Sequence, residues 1–65
     1  MELKVNHKLI SVPADYTLGL LLKSMDFSKS VAVFINSQQI LMRDYDHYKL
    51  NEKDSVTIIK PLAGG

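Results

Sequence analysis

At 65 residues, 46% of them hydrophobic and 23% charged, the chain is sized for one ordinary globular domain, since so short a polypeptide buries only about 60% of its unfolded surface and cannot supply two cores. The formal charge of +1 argues against a nucleic-acid partner, because Lys4, Lys8, Lys23, Lys29, Arg43, Lys49, Lys53 and Lys60 are scattered among acids rather than gathered on one face. Zero cysteines remove disulfides, thiolate metal sites and any internal sulfur nucleophile, so sulfur handled by this chain must be received from elsewhere. No run approaches the roughly 20 apolar residues of a spanning helix, and no basic segment followed by an apolar stretch opens the chain, so a soluble cytoplasmic protein is expected.

Glu2-Leu3-Lys4-Val5-Asn6 alternates polar and apolar residues, and Leu9-Ile10-Ser11-Val12 resumes an extended pattern before Pro13. Together they predict an N-terminal hairpin with Asn6 in the turn, where a short amide tolerates positive φ. From Thr17 the period changes. Leu18, Leu21, Leu22 and Met25 stand at i, i+3, i+4 and i+7, an apolar stripe that predicts one short helix with these four residues in the core. Asp15 or Thr17 is the candidate cap. Gly19 reads as a weak point, worth about 1 kcal/mol against alanine in a helix interior.

Val31 to Ile35 is a continuous apolar strand, expected in the middle of the sheet and closed by Asn36-Ser37. Ile40-Leu41-Met42 is expected as a short strand, and Arg43 to Tyr48, which has no clean period, as an irregular crossover or helical turn. Tyr45 and Tyr48 are assigned to the lower edge of the sheet. Asn51 to Asp54 is a polar turn, and Ser55 to Lys60 is the last strand, stopped by Pro61. Strands at both ends with one helix between them predict an α+β fold of the β-grasp, or ubiquitin-like, type. Its mixed sheet of four to five strands pairs the first strand with the last, and one main helix crosses one face. Residues 1–60 form the domain, and residues 61–65 a flexible tail.

Few groups in this chain can carry chemistry. His7 and His47 lie far apart without cysteine or repeated ligand spacing, so there is no metal pattern. Walker and GxGxxG motifs are absent, and a one-helix domain of this size seldom offers the concave scaffold a nucleophilic triad needs. An autonomous enzyme is not expected. What remains is the end of the chain, Leu62-Ala63-Gly64-Gly65. Read alone it is a frayed terminus. Yet glycine has no Cβ, so such a tail can thread a tunnel too narrow for side chains, and Pro61 to Gly65 extended spans roughly 16–18 Å. An α-carboxyl group ordinarily titrates near pH ~3.5, so the Gly65 carboxylate is ionised at neutral pH and a poor electrophile. Conversion to an acyl-adenylate by a partner using ATP and Mg²⁺ would let an amine attack, giving a protein modifier, or sulfur attack, giving a thiocarboxylate. The tail does not choose between them.

The strand Val31 to Ile35 ending in Asn36, then Gln38-Gln39-Ile40, Arg43-Asp44-Tyr45, the acidic turn before Val56 and the closing Ala63-Gly64-Gly65 resemble, in order and spacing, the ThiS family of sulfur carriers in thiamin biosynthesis. The helix beginning Thr17-Leu18-Gly19-Leu20-Leu21-Leu22 is also similar, and the likeness covers nearly the full length. The Ala-Gly-Gly ending is shared with MoaD, the small subunit of molybdopterin synthase; the shorter chain and the Gln-Gln-Ile-x-x-Arg-Asp-aromatic segment favour ThiS. Two departures bear on local backbone. Lys53-Asp54 stands where the family often has Gly-Asp, and Leu41-Met42 leads into Arg43 where a proline is common.

The resemblance implies a cycle run by partners. A ThiF-type adenylyltransferase would activate Gly65 with ATP and Mg²⁺. Sulfur from a cysteine desulfurase or related donor would give the thiocarboxylate, and a ThiG-type thiazole synthase would consume it. Gly64 and Ala63 would thread the narrow segment, and Leu62 would anchor it. For the partner-binding surface, strand parity is the guide: if Val56 and Ile58 face the helix, Thr57 and Ile59 face away. Phe34 either joins Ile59 in an apolar docking patch or completes the core. Arg43 either meets an acidic rim on a partner or pairs locally with Asp44 or Asp46, the local role being slightly favoured.

Overall fold

The computed structural model describes residues 1–60, and the expected tail with Leu62, Ala63, Gly64 and Gly65 lies outside the described residues. Five strands, β1 (Glu2–Val5), β2 (Lys8–Ser11), β3 (Ala32–Ile35), β4 (Gln38–Ile40) and β5 (Ser55–Ile59), form one sheet in the order β2-β1-β5-β3-β4. Only the β1–β5 pair is parallel. One helix, α1 (Leu18–Ser24), and a 3₁₀ turn (Met42–Asp44) complete the described elements. This is the β-grasp arrangement, with the first and last strands side by side.

Both hairpins use the same turn chemistry. Asn6 and His7 have φ of 47° and 74°, and Asn36 and Ser37 have 51° and 73°. Two consecutive positive φ values make the two-residue turn whose twist matches that of the flanking strands. The register Val5↔Lys8 and Ile35↔Gln38 follows directly. Lys53, at φ 67°, keeps the turn before β5 despite the lysine, at a cost of about 1 kcal/mol for a side chain in the left-handed region. The 3₁₀ turn likewise forms behind Leu41-Met42 without a proline.

Thr17, not Asp15, caps α1: its Oγ1 accepts from Leu20 N–H at 3.2 Å. The Leu18 and Gly19 N–H groups donate to the Tyr48 and Tyr45 carbonyls, both at 2.8 Å, so three first-turn donors that the helix itself leaves open are satisfied. At the other end Asp26 (φ 65°) donates to the Lys23 carbonyl and Phe27 to that of Leu22. This is the Schellman closure. Leu18, Leu21 and Leu22 are buried against Leu3, Val5, Val33, Ile35, Val56 and Ile58 on one face of the sheet.

Several expectations are corrected. Met25 is the C-cap, 37% exposed, because the helix ends before the fourth position of the stripe can reach the core. The middle of the sheet belongs to β5, with β3 one place away, and Val31 is buried but precedes the strand. Ile40-Leu41-Met42 is not a strand: β4 ends at Ile40, and Leu41 and Met42 are exposed. Lys60 lies beyond β5. Tyr45 is no edge residue; it is buried, and its hydroxyl donates to the Val31 carbonyl at 2.8 Å. Gly19 is a close-approach position, since a Cβ there would sit 3.1 Å from Asp46 Cα and 3.3 Å from the Tyr45 carbonyl oxygen.

Candidate functional site

β5 is the last described strand, and Lys60 is the described residue nearest in sequence to the candidate reactive segment. Its alternation is as parity requires: Val56 and Ile58 are buried, whereas Ser55, Thr57 and Ile59 face away from α1. On the neighbouring strand Val33 and Ile35 are buried toward the helix, which turns Ala32 and Phe34 to the opposite face. The register sets Phe34 beside Thr57 on one side and Gln39 on the other, and sets Ala32 beside Ile59. Phe34 is therefore an outer-face residue, half-buried by its strand neighbours and separate from the core.

Leu41 follows directly on the last residue of β4, Ile40, which pairs with Val33. Ile59 is 50% exposed and Leu41 52%. Ala32, Phe34 and Ile59 thus share the outer face of β3 and β5, and Leu41, just past the end of β4, is a further exposed apolar side chain. Exposed apolar side chains on one face are candidates for an interaction surface. Ala32 and Leu41 are the members that sequence reasoning missed. Reading Leu41 into a strand hid it, although an apolar pair just before Arg43 was the available signal.

Arg43 stands in the exposed 3₁₀ turn that follows Leu41. The expected local pairing with Asp44 or Asp46 does not form; Lys29 from the loop after α1 takes Asp46 instead. The Lys29 ammonium holds the Asp46 carboxyl below the usual carboxylate range. Among the described residues Arg43 has no acidic partner within salt-bridge distance. It is an exposed cation two residues after Leu41.

Just past β5, Lys60 Nζ lies 5.2 Å from the centre of the Phe27 ring. Together with Asp26, Ser28, Ser30 and Val31 these two residues line an open cavity of about 290 Å³. The lining pairs one acid with one lysine and two serines, and brings no base to either hydroxyl. No cluster of three or more His, Cys, Asp or Glu residues among the described residues is placed to hold a metal. No helix among them is long and apolar enough to cross a membrane.

The start and the end of β5 are held by asparagine side chains. Asn36 Oδ1 accepts from Ser55 N–H at 3.0 Å while its Nδ2 donates to Asp54 at 2.9 Å, and Asp54 also accepts from Asn51 N–H at 2.8 Å. That network satisfies the one buried charged side chain of the described residues. Asn6 Oδ1 accepts from Ile58 N–H at 2.8 Å, and its Nδ2 donates to the Ile58 carbonyl at 3.3 Å.

Comparison with solved structures finds the same fold in the crystal structure of a thiamine biosynthesis protein (ThiS) from Geobacter metallireducens. The identity is 25%, all of both chains is covered, and the TM-score is 0.84. The solution structure of a thiamine biosynthesis protein from the same organism is similar at 23% identity and TM-score 0.78, covering all of this chain and 88% of the other. Among curated proteins none matches. The ThiS family model matches residues 1–65, from the first strand through the Ala63-Gly64-Gly65 ending, and the chain belongs to the ThiS family.

Proposed function

We propose that this protein is a sulfur carrier for thiamin biosynthesis and that the α-carboxylate of Gly65 is its reactive group. The observation that carries the reading is the family match over residues 1–65, which includes the diglycine ending. The Geobacter metallireducens relative, described as a thiamine biosynthesis protein, supports the pathway. In the proposed cycle a ThiF-type adenylyltransferase uses ATP and Mg²⁺ to join AMP to the Gly65 carboxylate, releasing pyrophosphate. Persulfide sulfur from a cysteine desulfurase or related donor then displaces AMP to give an acyl disulfide, a thiol reduces its S–S bond to release the Gly65 thiocarboxylate, and a ThiG-type thiazole synthase takes the sulfur, the carbonyl carbon regaining an oxygen as the carboxylate returns.

The body's part in this is recognition, and catalysis belongs to the partners. Phe34 and Ile59, with Ala32 and Leu41, supply an apolar docking face, and Arg43 adds a cation. Leu62 anchors the tail, and Ala63 and Gly64 let it enter a narrow channel, because neither has a side chain larger than a methyl group.

Incubation with a ThiF-type enzyme, ATP, Mg²⁺ and a sulfur source should convert the intact mass to that of the species in which one oxygen is exchanged for sulfur. The Gly65→Ala variant should fold normally and convert poorly. An unchanged mass for the unaltered chain, or conjugates on lysines of other proteins in its place, would count against the carrier reading.

A further inference from the structure

β5 is the central strand, yet it is not flanked equally along its length. On one side β3 accompanies it as far as Ile59. On the other, β1 pairs only with Ser55 and Val56 and then turns away at Asn6. The next residue whose main-chain groups point to that side is Ile58, and no strand is left to receive them. The Asn6 side chain takes the place of the missing strand. A primary amide presents its carbonyl and an N–H side by side, as one residue of a neighbouring strand presents its own C=O and N–H. Asn6 uses both on Ile58, at 2.8 and 3.3 Å, while its own main-chain N–H donates to the Val56 carbonyl at 2.9 Å.

We propose that Asn6 is a positioning residue for the carrier reaction: by clasping Ile58 it keeps β5 bordered on both sides up to its last residues, and so holds in place the end of the strand from which the sequence continues to Gly65. The inference rests on the carrier function proposed above. Few residue types meet both demands at position 6. The φ of 47° suits glycine, asparagine, aspartate or histidine. Of these only asparagine carries a donor and an acceptor side by side on one group, as the two bonds to Ile58 require. A turn role alone would be served equally by glycine, which makes Asn6→Gly the discriminating substitution.

Two measurements on Asn6→Gly test the proposal. In amide hydrogen exchange, Ile58 should exchange at least about tenfold faster while Val33 and Leu21 in the core keep their protection, the pattern of local opening without global loss. In pyrophosphate exchange with a ThiF-type enzyme, kcat should fall about tenfold with KM unchanged, because the docking face is intact and only the presentation of the reacting end is disturbed. Asn6→Asp, which keeps the turn and the acceptor but loses the Nδ2 donor, should fall between the two in both measurements. Unchanged Ile58 exchange overturns the clasp. Faster Ile58 exchange with kcat retained, or a loss confined to KM, overturns the positioning role. If the unaltered chain is not adenylated, the proposed function itself fails and the positioning role goes with it, an outcome recognised because it does not depend on the substitution.

Discussion

Replacing Gly19 by alanine sets two effects of opposite sign against each other. Helix propensity favours alanine by about 1 kcal/mol, and with no positive φ at any described glycine there is no backbone reason to resist it. The tertiary environment does resist. The new Cβ would stand 3.1 Å from Asp46 Cα and 3.3 Å from the Tyr45 carbonyl oxygen, and would also press on the Asp46 carboxylate. Overpacking against backbone costs about 1–3 kcal/mol. Separating the two segments would also lengthen the Gly19 N–H to Tyr45 carbonyl bond of 2.8 Å, a contact worth about 1 kcal/mol. The sum is a net loss of about 1–3 kcal/mol, or roughly 5–20 °C in Tm for a domain of this size. Urea unfolding followed by far-UV circular dichroism, with a thermal melt alongside, measures it. Stability equal to or above that of the unaltered protein would show that the helix start and the 45–48 turn do not meet as closely as described.

Phe34→Ala should cost only about 1 kcal/mol of stability, because its contacts are cross-strand neighbours on the outer face. It should also raise KM for adenylation by about tenfold, as loss of a docking anchor does; a stability loss with KM unchanged would return Phe34 to a structural role. Tyr45→Phe removes the donor to the buried Val31 carbonyl and should cost about 1–3 kcal/mol in chemical denaturation. Burial also raises the Tyr45 pKa above its ordinary value, so the neutral form is favoured in the fold. That contribution is present below the unfolded value and lost as pH rises through the folded one. The alkaline limb of the stability curve should accordingly be shallower in Tyr45→Phe. Lys29→Met should move the Asp46 carboxyl up toward its ordinary range in a carbon-13 titration. The pair acts above that range and is lost as pH falls through the depressed value, so an unchanged Asp46 titration would refute the contact.

Much of the fold was legible because its signals are local. The alternation in residues 2–12, the i, i+3, i+4 leucines of α1 and the Asn-containing turns each express a preference of a few neighbouring residues. The outward face of Ile59 followed from the parity of β5 once Val56 and Ile58 were placed inward. Phe34 was not decidable in that way. In the run Val31 to Ile35 both parities are apolar, and only the pairing of Val33 with Ile58 shows which one meets the helix. Leu41 was misplaced for a related reason, since an apolar residue after a strand looks the same whether the strand continues or ends.

By itself, then, the sequence determined the order of elements, the β-grasp class, the absence of an internal sulfur nucleophile and the diglycine ending that family membership turns into a candidate reactive group. Tertiary structure alone decided that Gly19 must be small, that Tyr45 is core, that Asp46 belongs to Lys29 and not to Arg43, and that Asn6 reaches Ile58. Each of these depends on which distant segments are brought within a few ångströms, and no periodicity of neighbouring residues encodes that. The outward placing of Phe34 beside β5 and the hold of Asn6 on Ile58 are both of this second kind.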